Sequence, residues 1–262
     1  MPVLELDSVK LHWQQDGDLS GAPVVFVNSL GTDLRLWEHL LPHLPANTRQ
    51  IRFDLRGQGL TECLLPQFSL TDLTTDLVRL LDHLRIRSCT LVGTSLGGMI
   101  AQQMAASRAD LVRHLVLTNT APKMGTAEMW QKRIDAIRES GLAAVADDIL
   151  QRWFSPSFLG STKAGFWHQA LTQADPMGYV GACHAIAQTD LSSLLGQISQ
   201  RTLVIGGERD GASPPEQVTA MARMIENSTC KILPGVGHLP SVEAPELLAL
   251  HLSEFMSEDV NA

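Results

Sequence analysis

Across 262 residues no apolar stretch approaches the roughly 20 residues that a membrane-spanning helix needs, which excludes an integral helical membrane protein. Cysteine is scarce: Cys63, Cys89, Cys183 and Cys230 stand apart, without the CxxC spacing of a structural zinc site or a redox disulfide. Four reduced thiols in or near a core are expected, and no metal. Charged residues make up only 18% of the chain and sum to −8, and with no basic stripe neither nucleic acid nor a membrane is an expected partner. The N-terminus, Met-Pro-Val-Leu-Glu-Leu-Asp, lacks the basic region, apolar stretch and cleavage site of a secretory signal, so a cytoplasmic protein is expected. No internal repeat, low-complexity tract or linker is visible. Against these absences, 44% of the residues are hydrophobic. That is enough for a large core without a disulfide or metal staple, and too apolar for extensive disorder.

Short apolar runs recur along the chain. Val3–Leu6 and Val9–Gln15 read as two strands joined at Asp7-Ser8. Val24–Val27, Gln50–Phe53, Cys89–Val92, His114–Thr118, Thr202–Ile205 and Lys231–Leu233 read as strands buried on both faces, giving eight in all. Helical spacing lies between them: Leu34, Trp37, Leu40 and Leu41, then Leu73, Leu77, Leu80, Leu81 and Leu84, entered through Ser69-Leu70-Thr71-Asp72 as a capping-box start. Alternating strands and amphipathic helices predict an α/β architecture, a mostly parallel sheet with helices on both faces and an antiparallel N-terminal edge. From Asn119-Thr120-Ala121-Pro122 onward the alternation stops. Residues 121–195 show only helical periodicity, over Thr126–Glu139, Leu142–Phe154, Thr162–Ala174 and Met177–Thr189, and strands resume at Thr202. The simplest organisation is a core of residues 1–120 and 196–262, split by an inserted helical cap over 121–195 that holds Trp130, Trp153 and Trp167.

The most informative stretch is Gly93-Thr94-Ser95-Leu96-Gly97, set between an apolar strand and a helix. So sharp a strand-to-helix turn strains the central residue, and glycines two positions either side remove clashing Cβ atoms. The Ser95 hydroxyl is then presented at a helix N-terminus, where the Leu96 amide meets a developing oxyanion. A serine nucleophile needs a base, and the base an orienting acid. Of nine histidines, His238 alone follows a late strand on a glycine-rich loop and precedes a new helix. Asp210 lies just past the penultimate strand, before Gly211, and is preferred as the acid over Glu208. The second oxyanion donor belongs in the loop after Val24–Val27, with the Leu30 amide as candidate and Gly31 expected to let the backbone approach the substrate.

These features resemble the α/β-hydrolase superfamily along nearly the whole chain: the elbow at Ser95, the order Ser95, Asp210, His238, the stretch Asp54-Leu55-Arg56-Gly57-Gln58-Gly59, and the helical cap after the sixth predicted strand. The resemblance implies an α/β-hydrolase fold. Two positions depart from the superfamily's habit. Asn28-Ser29 stands where His-Gly is usual, and Gln58 where histidine is common; the second is read as without catalytic consequence. The first resembles a subfamily, the 3-oxoadipate enol-lactonases of bacterial aromatic catabolism, as do Trp37, Gly125-Thr126-Ala127-Glu128-Met129-Trp130 and Arg152-Trp153-Phe154. That resemblance implies ring opening of 3-oxoadipate enol-lactone to 3-oxoadipate in the β-ketoadipate pathway, with no cofactor and a small anionic lactone as the partner. An anionic substrate in a net-acidic chain needs a local cation. Arg133, on one helix face with Trp130, and Arg152, beside Trp153, are the candidates for a bidentate clamp, with Trp130 and Trp153 as apolar wall. Other capped hydrolases share the triad, so an esterase or a carbon–carbon bond hydrolase of ring-fission products stays open, as does a lactone-binding sensor. Epoxide hydrolase and haloalkane dehalogenase are disfavoured, because their nucleophile is a carboxylate where this chain has Ser95.

Overall fold

The computed structural model describes residues 2–65 and 67–257. Its chain begins with an antiparallel pair, Val3–Leu6 (β1) and Val9–Gly17 (β2), closed by a turn that sets Leu6 opposite Val9. Ala22–Val27 (β3) and Thr48–Phe53 (β4) follow, then a two-residue strand, Glu62–Cys63 (β5), that pairs with β2. Leu70–His83 (α1) begins with a capping box in which Ser69 and Asp72 satisfy each other's backbone amides. Cys89–Thr94 (β6), Leu96–Ser107 (α2) and Val112–Thr118 (β7) complete the first half. Five helices come next without a strand: Ala127–Ser140 (α3), Ala143–Trp153 (α4), Pro156–Leu159 (α5), Thr162–Thr172 (α6) and Pro176–Ala187 (α7). Arg201–Gly207 (β8), Pro215–Ala222 (α8), Ser228–Leu233 (β9), Pro240–Glu243 (α9) and Pro245–Ser257 (α10) end the chain.

The sheet runs β1-β2-β4-β3-β6-β7-β8-β9, with β5 off this path. β2 pairs antiparallel with β1, β4 and β5, and every other neighbouring pair is parallel. The continuous apolar runs sit where both faces are covered: Val24 to Val27 and all of β6 are buried. Strand order reverses between β3 and β6, and the ends of β3, β6, β7 and β8 open on one edge, where ligands of open α/β sheets bind. No helix among the described residues is long and apolar enough to cross a membrane.

Four elements differ from the sequence reading. Lys231–Leu233, read as buried on both faces, belongs to β9, an edge strand in which only Leu233 is buried. Among the described residues the sheet has nine strands rather than eight, because β5 is too short to show periodicity. The apolar spacing at Leu34–Leu41 forms two 3-10 turns, Leu34–Trp37 and Leu41–His43, rather than an α-helix. There Leu36 N–H bonds to Asp33 O and Leu40 N–H to Trp37 O, the Leu34 amide is claimed by Asp54 Oδ1 at 2.8 Å, and Pro42 has no amide to extend a helix. α5 fills the gap left between the expected helical stretches Leu142–Phe154 and Thr162–Ala174: Pro156 is its first residue, with the Ser155 hydroxyl accepting from Phe158 N–H.

Candidate active site

Ser95 joins β6 to α2 with φ 56° and ψ −116°, a left-handed conformation that costs a non-glycine residue of order 1–3 kcal/mol. The surroundings hold it there. Its amide donates to Thr118 O at 3.1 Å, and its carbonyl accepts from Thr120 Oγ1 at 2.7 Å and from Met99 N–H at 3.0 Å. A Cβ on Gly97 would stand 2.1 Å from Val27 O, so only glycine lets α2 pass this close to β3. Ser95 is 4% exposed, and its hydroxyl contacts Met124 Sδ at 3.9 Å.

His238 and Asp210 come from the loops after β9 and β8. His238 Nδ1 lies 2.8 Å from Asp210 Oδ2, with both side chains almost wholly buried. The four acceptor sites of this carboxylate are filled: Oδ1 takes Ala212 N–H at 2.7 Å and Ser213 N–H at 2.9 Å, and Oδ2 takes Asn119 Nδ2 at 2.9 Å together with the imidazole. An ionised carboxylate only accepts, so Nδ1 carries the proton and Nε2 presents a lone pair. Glu208 points elsewhere, accepting from Gly235 N–H beside Arg209. Asn119 was not singled out from sequence. It ends β7 at φ 49° and also donates to Gly237 O at 3.1 Å, tying the acid to the histidine's loop. Its signal was only the break in apolar pattern after Thr118.

Both loops are bonded to the C-terminus of α4. Trp153 O accepts from His238 N–H at 2.6 Å and Arg152 O from Gly211 N–H at 3.1 Å. Glu243, in α9, spans the same junction: Oε1 takes Gly237 N–H at 3.0 Å and Oε2 takes the Ser155 hydroxyl at 2.5 Å. Burial pushes its carboxyl above the usual range, and these bonds hold it down in part.

The Leu96 amide opens α2, where first-turn N–H groups have no intrahelical acceptor. Among the described residues neither it nor the Leu30 amide has an acceptor within the chain. The loop carrying Leu30 is held on both sides. Asn28 accepts from Trp37 Nε1 at 2.7 Å and donates to Phe53 O at 2.8 Å. Gln58 Oε1 accepts the Gly31 amide at 2.7 Å. Gln58 was expected to be without catalytic consequence; in the fold it fixes the peptide next to Leu30. Gly31, at φ 74°, turns its open side not to a substrate but to the ring of Tyr179, which a Cβ would meet at 2.7 Å from Cε2.

Ser95, His238 and Leu30 line one cavity of about 230 Å³. That is below the roughly 300–1,000 Å³ of drug-sized sites, so it suits a compact ligand. α3 and α4 supply the opposite wall: Trp130 and Trp153, both buried, with Arg133 and Arg152. Trp130 Nε1 is anchored on Met124 O at 2.6 Å, and Arg133 stacks over its ring at 5.1 Å. Arg133 is half-buried, and no carboxylate among the described residues pairs with it. Arg152 is exposed, its backbone rather than its side chain tied to the acid's loop. Ser29 and Tyr179 also line the cavity, each with a buried hydroxyl that has no acceptor among the described residues. A larger cavity of about 340 Å³, lined by Arg35, Gln58, Phe166 and Asp175, lies beyond Tyr179 and includes neither Ser95 nor His238.

This geometry has close counterparts among known proteins. The alpha/beta hydrolase fold family matches residues 22–245. A 3-oxoadipate enol-lactonase 2 of Acinetobacter baylyi is 31% identical over 93% of this chain and 92% of its own. The crystal structure of the enol-lactonase of Burkholderia xenovorans superimposes with a TM-score of 0.93 at 30% identity, covering 98% of this chain and all of that one. A malate-bound thermophilic esterase of Thermogutta terrifontis does so at 0.92 and 26% identity, over 98% and 99% of the two chains. With a parallel sheet, a strained serine between β6 and α2, and a match over most of its length, this chain belongs to the alpha/beta hydrolase fold family.

Proposed function

We propose that this hydrolase opens the ring of 3-oxoadipate enol-lactone through an acyl-enzyme on Ser95. The observation that carries the reading is the half-buried Arg133, without a carboxylate partner, in the same small cavity as Ser95 and His238. An uncompensated cation beside a nucleophile favours a substrate that brings its own negative charge. Arg133 fits that part better than Arg152, which stands in solvent. The enol-lactonase relatives point to the same substrate, and the malate in the Thermogutta esterase is likewise a small carboxylate.

The chemistry follows from the parts. The Ser95 hydroxyl turns from Met124 toward His238 Nε2, a contact of the kind that often tightens only with substrate bound. Nε2 takes the hydroxyl proton as Oγ bonds to the lactone carbonyl carbon, and the oxyanion accepts from the Leu30 and Leu96 amides. Collapse breaks the ring C–O bond. The departing enolate takes its proton from His238 and tautomerises to the ketone. Water, deprotonated by His238, attacks the acyl carbon, and the acid leaves as Ser95 regains its proton. Asp210 holds the imidazole tautomer and stabilises imidazolium.

The test is turnover by the purified protein. Hydrolysis of 3-oxoadipate enol-lactone much faster than of p-nitrophenyl acetate is expected. Ser95→Ala should remove turnover with an unchanged circular dichroism spectrum. Equal rates on simple esters with no action on the lactone would leave an esterase instead.

A further inference from the structure

Tyr179 is the chain's single tyrosine, and nothing in the reaction above uses it. It lies in α7, packed by its ring edge on Gly31 and only 1% exposed, and it lines the cavity that holds Ser95 and His238. Among the described residues its O–H has no acceptor, since the Arg133 guanidinium beside it can only donate. A buried hydroxyl left unpaired is rare, because folding strips it of water without replacing the bond. Tyr179 is therefore organised for a group that arrives later. Its neighbour identifies that group. Burial pushes the phenol well above its usual range, and the Arg133 guanidinium, by its charge and as a donor to the phenol oxygen, draws it down in part. The phenol thus stays neutral and donates. Arg133 faces the same cavity, stacked on Trp130 and, among the described residues, without an ion pair. One neutral O–H donor without an acceptor and one cation without a carboxylate, from neighbouring helices, complement a single carboxylate.

We propose that Tyr179 is a specificity-determining residue, whose hydroxyl joins Arg133 in binding the free carboxylate of the substrate. The pair sets the preference for substrates with a carboxylate at the far end from the scissile carbonyl. This rests on the cavity being the substrate site, but not on the substrate being a lactone.

The test compares two aryl esters of matched chain length, mono-p-nitrophenyl glutarate, which carries a free carboxylate, and p-nitrophenyl pentanoate, which does not. The wild type should favour the charged ester in kcat/KM. Tyr179→Phe, which keeps the ring against Gly31, should lower that preference at least about tenfold, the scale of one hydrogen bond to a charged group, and chiefly through KM. Arg133→Ala should lower it too, and the double variant by less than the product of the two. A second measurement avoids substitution. With 3-fluorotyrosine incorporated, the protein gives one tyrosine fluorine resonance, expected to shift on adding glutarate in the wild type and not in Arg133→Ala. An unchanged ester preference in Tyr179→Phe, equal losses on both esters, or no preference in the wild type would each overturn the proposal. If the lactone is ignored while the charged ester is favoured through Tyr179, the lactonase reading fails and this one stands. If the lactone is hydrolysed and Tyr179→Phe keeps the ester preference, only this one fails.

Discussion

In the proposed mechanism Gln58 acts on the chemistry without touching substrate. Its carbonyl oxygen holds the Gly31 amide at 2.7 Å, one peptide along from the proposed oxyanion donor at Leu30. Gln58→Leu fills similar space but strands that amide in a buried place, so the loop should relax and misdirect the Leu30 N–H. Outright loss of an oxyanion donor costs roughly 10²–10³ in kcat, and a misaligned one should cost less, roughly tenfold. Gln58→His, the residue more common here in the superfamily, supplies a ring-nitrogen acceptor and is expected to restore most of the rate. Steady-state kinetics on the two variants checks this, with kcat moving and KM nearly constant. Asn119 works by the same logic on the acid, and its positive φ leaves its amide aimed at both Asp210 and Gly237.

Among the elements, α4 is the one whose position the site depends on most. Its last two carbonyls hold the amides of His238 and Gly211, while its side chains wall the cavity. Glu243 in α9 reinforces the junction through Gly237 and Ser155. Glu243→Ala leaves the backbone amides of Gly237 and Ser155 partly buried and without this acceptor, about 2 kcal/mol in all. At about 2–4 °C per kcal/mol for a chain of this size, Tm should fall by about 4–8 °C, read by thermal denaturation. Since the loop it braces carries His238, kcat should fall with it. The bonds also imply that any opening of the wall proceeds through α3, α6 or α7 rather than by lifting the C-terminus of α4.

For the molecule as a whole, the buried cluster runs without interruption from Val25 in β3 through Trp153 in α4 to Leu252 in α10. The helices between β7 and β8 therefore share a core with the sheet rather than enclosing one of their own. A single calorimetric transition is expected, with van't Hoff and calorimetric enthalpies equal. Two separated transitions would mean that residues 121–195 unfold independently. All four cysteines are free, so a reductant should leave the transition where it is. The net charge of −8 repels an anion at long range, where salt screens it. In the proposed binding mode Arg133 and Tyr179 act at contact range, where screening is weak.

Periodicity, turn chemistry and local strain are properties of a few adjacent residues, and the corresponding features could be read directly. The buried strand runs, the α1 capping box, the strand–turn–helix at Ser95 and the strandless stretch after Asn119 all belong to this kind. The short β5 and the 3-10 turns after Asp33 escaped because their formation depends on partners, β2 and Asp54, far along the chain. The same holds within the site. Residue types and loop context singled out Ser95, Asp210 and His238, but the bond from Gln58 to Gly31 joins residues 27 apart, and that from Asn119 to Asp210 residues 91 apart. Which arginine lacks a counter-ion, and which hydroxyl lacks an acceptor, are facts about what surrounds a side chain in three dimensions. Only the folded chain decides them, because desolvation and pairing are set by neighbours that sequence distance does not reveal.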